Sequence, residues 1–222
     1  MKLSIVIPAL EEAAVIGRTL ESLAPLRARG HEVIVADGGS ADATRALAGP
    51  LADKVLVAPR GRASQMNAGA AAASGDVLLF LHADTQLPAG AAGEILEQTR
   101  TRSWGRFDVD IDGASPLLGV IAFFMNQRSR LTGIATGDQA IFVRRAEFPG
   151  FPEIALMEDV AFSRRMRRLS PPACLRARVR TSGRRWERRG VLRTVLLMWR
   201  LRLAYWMGAS PDKLARRYAK EG

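Results

Sequence analysis

The chain has 222 residues and a net charge of +11, and 48% of its residues are hydrophobic. This length allows one domain with a substantial core but not two of full size, and the composition excludes a disordered chain. The single cysteine, Cys174, excludes an internal disulfide. Since the N-terminus lacks a signal-peptide pattern and no apolar run is long enough to span a bilayer, we expect a cytoplasmic protein.

The positive charge is concentrated in the last quarter of the chain. Residues 1–163 include 15 basic and 19 acidic residues, whereas residues 164–222 include 18 basic and 3 acidic ones. Such asymmetry favours an anionic partner, for which a membrane surface, a phosphate-rich substrate and nucleic acid are the candidates. A solvated, arginine-rich face is the alternative that involves no partner.

The first hundred residues alternate between short apolar runs and helical patterns. The predicted strands are residues 3–7, 32–36, 54–57 and 77–81. The predicted helices are residues 11–29, 46–47, 63–74 and 88–100. This alternation predicts an α/β fold with a Rossmann-like, mostly parallel central sheet that is covered by helices on both faces.

The second half of the chain is less regular. Residues 106–112 alternate between apolar and acidic side chains, which predicts a half-exposed strand. A further strand is predicted at residues 139–144. The predicted helices are residues 116–131, 158–169 and 191–207. Residues 181–222 are expected to form a basic helical extension that packs on the domain before it.

Polar segments follow the predicted strands of the parallel sheet. Ligands of such sheets bind beyond the carboxyl ends of the strands, so residues 8–12, 37–40, 60–62 and 82–84 should form one rim. Neither a G-x-G-x-x-G nor a Walker A pattern follows the first strand, so a phosphate group there needs a metal and arginines instead. Asp84 offers a carboxylate suited to Mg²⁺ or Mn²⁺, and Arg60 and Arg62 can pair with phosphate.

Most of these residues also have a structural interpretation. Asp37 and Gly38 suit a ligand that approaches the backbone, but they equally suit a tight turn. Asp84 can cap a helix. Glu158 and Asp159 begin a predicted helix, where they are either partners of the helix dipole or a general base for an acceptor hydroxyl. The residues by themselves leave both interpretations open.

Several motifs occur in a recognisable order: S-I-V-I-P at 4–8, V-I-V-A-D-G-G-S-A-D at 33–42, L-F-L-H-A-D at 79–84 and M-E-D at 157–159. Over about residues 1–170 they resemble the family 2 glycosyltransferases of GT-A fold. The later R-R-W at 184–186 resembles an R-W element of many of these enzymes. Residues 61–69 and 181–187 resemble a narrower bacterial subgroup, associated with radical-SAM partners and named for arsenosugar biosynthesis.

The resemblance implies an inverting transfer of a sugar from a nucleotide-diphosphate sugar to an acceptor hydroxyl, without a covalent enzyme intermediate. Residues 1–100 would bind the nucleotide sugar and residues 101–180 the acceptor. With the residues of the rim, the expected donor site comprises Pro8, Glu12, Asp37, Gly38, Arg60, Arg62 and Asp84. The expected contacts to acceptor or diphosphate are Asp138, Gln139, Arg185 and Trp186. Asp159 would be the general base, with Glu158 beside it.

Two positions depart from the family's pattern. Glu11-Glu12 stands where Asn-Glu is usual, so the base pocket is expected to differ. His82 stands at the first aspartate of the D-x-D element. Because the last aspartate is normally the metal ligand, Asp84 is still expected to bind Mn²⁺ or Mg²⁺, although an imidazole favours softer metals.

Two other classes of function remain as alternatives. A nucleotidyltransferase of similar fold lacks support, because its usual glycine-rich loop near the N-terminus is missing. The other alternative is a basic module without catalysis. No nucleic-acid-binding signature is present, so no nucleic acid partner is expected. Trp199 and Trp206 lie among aliphatic residues and arginines within residues 187–207. This pattern is typical of a helix in peripheral contact with the inner face of a membrane, of a core helix, or of a helix in a homodimer interface.

Overall fold

The computed structural model describes residues 1–221, without the side chains of Arg185, Arg188, Arg189 and Glu221. The strands are β1 (Leu3–Ala9), β2 (Glu32–Asp37), β3 (Lys54–Val57), β4 (Val77–Phe80), β5 (Thr85–Gln86), β6 (Trp104–Asp112), β7 (Phe142–Arg144) and β8 (Ala173–Ser182). The helices are α1 (Ile16–Ala28), α2 (Thr44–Ala48), α3 (Arg62–Ala72), α4 (Ala91–Gln98), α5 (Leu117–Thr132), α6 (Glu158–Met166), α7 (Arg184–Arg189), α8 (Val191–Trp206) and α9 (Pro211–Glu221).

Within the described residues, the strands form one sheet in the order β3-β2-β1-β4-β7-β6-β8-β5. The strands from β3 to β4 are parallel to one another. β7 is antiparallel to both of its neighbours, β8 is parallel to β6, and β5 is antiparallel to β8 at the edge. The predicted α/β fold is confirmed, and β5 and β8 are additions that the sequence analysis did not predict.

Helices cover both faces of the sheet, as predicted. Ile5 and Ile7 of β1 pack with Leu20 of α1 and Ile95 of α4 in one apolar cluster. Val6 belongs to a second cluster, which α3 and α6 complete. Successive side chains of a strand point to opposite faces, so this apolar strand contributes to both halves of the core.

The predicted half-exposed strand at residues 106–112 is wrong for most of β6. Arg106 is fully buried, and Asp108 is only 8% exposed. Arg106 donates a hydrogen bond to Asp108, and Arg130 of α5 donates to the other carboxylate oxygen at 2.6 Å. Because these charges are paired inside the fold, the polar side of β6 packs under α5 instead of facing water.

Two predicted boundaries near the rim also differ from the structure. The helix predicted to begin at residue 11 begins at Ile16, since Glu11 adopts a left-handed backbone with φ 55°. The carboxylate of Glu11 accepts a hydrogen bond from the Ala41 N–H at 2.7 Å, which ties this loop to the one after β2. The strand predicted from residue 139 begins at Phe142, because Gly137–Gln139 forms a 3-10 turn.

The predicted C-terminal helical extension is present and packs on the domain. Leu197 and Leu201 of α8 are buried in a cluster with Val160 of α6 and residues of α9. On the opposite side of α8, Trp199 is 70% and Trp206 is 73% exposed. In the part of the chain that the structure describes, no helix is long and apolar enough to cross a membrane.

Candidate functional site

A cleft of about 910 Å³ opens at the carboxyl edge of the parallel strands. β1 and the loop after β4 contribute to its lining, and α5 and α8 contribute Phe124, Arg128, Trp199 and Arg202. The predicted site residues that line the cleft are Pro8, Glu12, Arg62, Asp84, Asp138 and Trp186. Of the predicted rim, residues after β1 and β4 and at the start of α3 therefore border one cleft, whereas residues 37–40 do not line it.

Asp84 lies in the loop after β4 and is paired with Arg184 at the beginning of α7. Nη2 of Arg184 is 3.4 Å from Oδ2 of Asp84 and 3.8 Å from Oε2 of Glu12. One guanidinium thus joins a carboxylate after β1 to a carboxylate after β4. The pairing fixes the start of the helical extension against the rim.

The His82 side chain lines the cleft and contacts the 3-10 turn Gly137–Gln139. Its Nδ1 is 3.2 Å from Oδ1 of Asp138. Its Nε2 is buried and has no hydrogen-bond partner among the described residues. A Cβ added to Gly137 would lie 2.5 Å from this nitrogen, so the imidazole packs directly on the glycine backbone. The imidazole in the loop after β4 thus contacts the 3-10 turn that carries Asp138.

Glu158 and Asp159 form the first turn of α6 and line a small cavity that shares Pro8, Arg62 and His82 with the cleft. Oδ2 of Asp159 accepts a hydrogen bond from the Gly137 N–H at 2.9 Å. This bond holds the carboxylate against the turn that also contacts His82. The arrangement supplies an oriented carboxylate at the edge of the cleft, as a general base requires.

Glu158 is 4% exposed and has a different environment from Asp159. Its Oε1 is 3.6 Å from Nη1 of Arg62. Burial, followed by the negative charge of Asp159, raises the pKa of Glu158. Loss of surrounding water would by itself lower the pKa of Arg62, but Glu158, Asp138 and Asp159 outweigh this and raise it. Arg62 therefore stays charged and compensates the carboxylates around it.

Asp37 and Gly38 lie at the carboxyl end of β2 but do not line the cleft. The Asp37 carboxylate is fully buried and accepts hydrogen bonds from the N–H groups of Gly39 and Ser40 at 2.9 and 2.8 Å. The Ser40 hydroxyl donates a third at 2.6 Å. The tight turn considered for these residues is thus present, and it shapes the loop beside Glu11 and Glu12.

The remaining predicted residues have varied positions. Arg60 is exposed in the loop before α3 and does not line the cleft. Gln139 is fully buried, and its amide makes hydrogen bonds within the fold to Thr136 and Asn126. Trp186 lines the cleft, whereas the side chain of Arg185 lies outside the described residues.

Four arginines of the site were missed by the sequence analysis: Arg128, Arg184, Arg200 and Arg202. The R-R-W element contains Arg184, but the contacts expected from it are Arg185 and Trp186. Arg200 and Arg202 belong to a basic helical pattern in which no motif separates them from surface arginines. Arg128 follows an apolar stretch of α5, and no motif distinguishes it from a surface arginine.

Metal binding at this site depends on how the acidic residues are grouped. Among the described residues, no three His, Cys, Asp or Glu side chains are grouped so as to hold a cation by themselves. Mg²⁺ commonly keeps several waters and binds through one or two carboxylates plus substrate phosphates. The carboxylate of Asp84, open to the cleft, fits that mode of binding better than a closed protein cage.

Comparison with known proteins supports this description. The sequence model of glycosyl transferase family 2 matches residues 4–111, which include Asp37 and Asp84 but not Glu158 or Asp159. A search of curated proteins gives no match.

Solved structures share the architecture. S. aureus TarS in complex with UDP-GlcNAc has a TM-score of 0.65 at 18% identity, over 82% of this chain. Glucosyl-3-phosphoglycerate synthase from Mycobacterium tuberculosis, in complex with Mn²⁺, UDP and glucosyl-3-phosphoglycerate, has a TM-score of 0.59 at 20% identity, over 81% of this chain. The fold is GT-A. This GT-A chain spans 58% of that TarS chain and 70% of that synthase chain.

Proposed function

We propose that this chain is an inverting glycosyltransferase that moves a sugar from a nucleotide-sugar donor to an acceptor hydroxyl. One observation carries the proposal. Asp84 lines the cleft at the carboxyl edge of the sheet, and Asp159 lines a cavity that shares Arg62 and His82 with this cleft. A carboxylate suited to a metal–diphosphate and a carboxylate suited to a general base thus border one space. The family 2 match and the GT-A fold support the same reaction.

We assign the donor to the half formed by residues 1–100 and the acceptor to residues 101–180. Pro8 and Glu12 would contact the base and ribose, and Asp37 with Gly38 would shape that pocket through the turn after β2. The neighbours crystallised with UDP-GlcNAc and with UDP support a uridine nucleotide as the first donor to test. Arg60, Arg62 and Asp84 would face the diphosphate.

A divalent cation, Mn²⁺ or Mg²⁺, would be held by Asp84 together with diphosphate oxygens. When bound, it supplies positive charge for the leaving diphosphate. The synthase crystallised with Mn²⁺ and UDP supports a metal at this place. Arg184, now 3.4 Å from Asp84, can turn from the carboxylate to the diphosphate, and Arg62 adds a second cation.

Asp159 would accept the proton of the acceptor hydroxyl while that oxygen attacks the anomeric carbon. The bond from this carbon to the diphosphate oxygen breaks in the same step, which inverts the configuration. The N–H of Gly137 orients the Asp159 carboxylate. Glu158, whose pKa is raised by burial and by the charge of Asp159, pairs with Arg62, so that Asp159 is the carboxylate oriented toward the acceptor oxygen.

Asp138, Gln139, Arg185 and Trp186 are proposed on the acceptor or diphosphate side. Asp138 and Trp186 line the cleft, which supports direct contact. Gln139 would act indirectly, because its buried amide holds the 3-10 turn of Asp138. The segments at 61–69 and 181–187 further support the bacterial subgroup associated with radical-SAM partners and named for arsenosugar biosynthesis, which we propose as the narrower family.

The exposed side of α8 would face the inner surface of a membrane in the cytoplasm. Leu192 and Trp206 are exposed there, and Trp199 between them also borders the cleft, with Arg193 on the same helix. Tryptophans and aliphatics beside arginines suit anionic lipid at an interface. Sedimentation with anionic liposomes at moderate salt tests this proposal. Absence of binding together with a dimer in sedimentation velocity would assign the face to a second copy of the chain.

A thermal-shift screen of nucleoside diphosphates and nucleotide sugars, with and without Mn²⁺, tests the proposed reaction. A ligand present at about 100 times its Kd adds about 2.7 kcal/mol to the stability of the folded state. We expect one nucleotide sugar to stabilise the wild type in the presence of Mn²⁺ and not to stabilise Asp84→Asn. Stabilisation by no nucleotide, or pyrophosphate release from a nucleoside triphosphate and a sugar phosphate, would contradict glycosyl transfer.

A further inference from the structure

Arg128 of α5 lines the cleft and has unused hydrogen-bonding capacity. Its Nε and Nη2 are buried and have no hydrogen-bond partner among the described residues. Buried polar atoms of folded proteins are nearly always paired, and a buried donor without a partner is costly, the more so when it is charged. Two such donors on one guanidinium therefore indicate a missing acceptor of hydrogen bonds.

Arg202 of α8 lines the same cleft and increases the positive charge around Arg128. Burial, followed by the charge of Arg202, lowers the pKa of Arg128 to about 10. Burial also lowers the pKa of Arg202. Arg62 differs, because its carboxylate neighbours raise its pKa. The acids of the cleft thus raise the pKa of Arg62, whereas burial of Arg128 and Arg202 outweighs the effect of Asp159 and Asp138 on their pKa.

Arg128 and Arg202 lie on the side of the cleft where we propose that the acceptor binds. The carboxylates that act on both arginines are Asp159 and Asp138. Asp84, on the donor side, is paired with Arg184 instead. An anion held between Arg128 and Arg202 would therefore lie near the proposed base and beside the acceptor hydroxyl.

We propose that Arg128 and Arg202 form an anion-binding subsite for the acceptor, and that the acceptor carries a phosphate or carboxylate group close to its reactive hydroxyl. Guanidinium groups bind both oxyanions through paired, charge-assisted hydrogen bonds. The subsite rests on the proposed glycosyl transfer, since that reaction gives Asp159 its role as base. It adds a chemical class for the acceptor.

Calorimetric titration of the full chain with inorganic phosphate, and separately with acetate, tests the subsite. We expect Arg128→Gln and Arg202→Gln each to weaken phosphate binding about tenfold or more, as loss of a charged hydrogen-bonding partner implies. Arg216→Gln is the control, because Arg216 is exposed on α9 and does not line the cleft. Unchanged phosphate affinity in both cleft variants, or no binding of either anion to the wild type, would overturn the proposal.

Two further arms make the outcome specific. Binding of phosphate but not acetate indicates a phosphorylated acceptor, and equal binding of acetate indicates a carboxylated one. Arg128→Lys keeps the charge and should bind phosphate with intermediate affinity. Thermal unfolding of both Arg128 variants is recorded in parallel, so that a folding defect of Arg128→Gln is recognised. Phosphate affinity in folded Arg128→Gln equal to that in Arg216→Gln would count against the subsite.

The phosphate titration is repeated in the presence of the nucleoside diphosphate that raises the thermal stability of the chain most. Phosphate binding that persists with this nucleotide supports an acceptor subsite, whereas competition would assign the arginines to the donor diphosphate and overturn the proposal. Failure of every nucleoside diphosphate to bind would instead reject the proposed function. The phosphate titration would then still decide whether Arg128 and Arg202 bind an anion.

Discussion

Asp84 and Arg184 form a 3.4 Å ion pair although 100 residues of chain separate them. The pair connects the loop after β4 to the first residue of α7, and Glu12 lies 3.8 Å from the same guanidinium nitrogen. The proposed metal ligand is therefore partly neutralised by a cation of the protein itself. Binding of a metal–diphosphate has to displace Arg184 from Asp84 or turn it toward the phosphates.

Replacement of Arg184 by glutamine should lower the Mn²⁺ concentration needed for half-maximal donor binding by a few-fold, because a competing cation next to Asp84 is removed. The effect is limited, since exposed ion pairs contribute only about 0–1 kcal/mol. Donor-dependent thermal stabilisation across a Mn²⁺ series measures it. Arg180→Gln, which removes an arginine 4.0 Å from Asp110 on a neighbouring strand, should leave the series unchanged. An equal Mn²⁺ requirement in Arg184→Gln and the wild type would contradict competition.

Gly137→Ala should reduce the rate of transfer. Its Cβ would lie 2.5 Å from Nε2 of His82, so the imidazole or the turn that orients Asp159 must move. Misplacement of catalytic groups by about 1 Å can reduce a rate by about a hundredfold. Gly119→Ala on α5 is the control, because an added Cβ meets nothing within 4 Å there. Steady-state kinetics that do not distinguish the two variants would argue against this placement of His82 and Gly137.

Glu32 should stabilise the fold at neutral pH without affecting transfer. Burial would raise its pKa, but hydrogen bonds from Ser4 and Ser74 and the charge of Lys54 lower it from 4.5 to about 2. A lowered carboxyl pKa adds stability above the unfolded-state value, and this contribution is lost as the pH falls toward the folded-state value. The shift corresponds to about 3 kcal/mol.

Urea unfolding of Glu32→Gln tests this expectation. The variant should be less stable than the wild type at pH 7, and the difference should shrink as the pH falls from 4.5 to about 2. Glu32 begins β2, at the end of the sheet opposite the cleft, so kcat should not change. A stability difference that is independent of pH would show that the carboxylate charge is not responsible.

The buried ion pairs of β6 give a second stability prediction. Asp108→Asn should lower the free energy of unfolding by about 3–5 kcal/mol, because Arg106 and Arg130 then lose their shared carboxylate. Asp110→Asn on the same strand is the control, since the Asp110 side chain is exposed and its ion pair with Arg180 is long, at 4.0 Å. We expect the control to change stability by no more than about 0.5 kcal/mol in urea unfolding. Similar losses in both variants would contradict the importance of the buried network.

The parallel half of the fold could be predicted because its signals are local. β1, β2 and β4 are continuous apolar runs, and each is followed by polar residues at the end where parallel strands meet. The rim that contains Glu12 and Asp84 follows from that pattern alone.

The remainder depends on pairings between distant residues. In β8 the arginines alternate with apolar residues, and the sequence analysis predicted no strand there. The charged side chain of Arg106 is buried because it pairs with Asp108, to which Arg130 also donates a hydrogen bond. The contribution of Arg128 to the cleft depends on how α5 and α8 pack, which periodicity within one helix does not reveal.

The most direct test of the proposed transfer is the effect of Asp159→Asn on rate and on donor affinity, with the nucleotide sugar that best stabilises the wild type. Loss of a general base lowers a rate by about 10²–10⁴-fold. We expect such a loss in glycosyl transfer, with unchanged donor affinity and thermal unfolding, since the carboxylate acts on the acceptor hydroxyl. Wild-type transfer by Asp159→Asn would contradict the proposed mechanism.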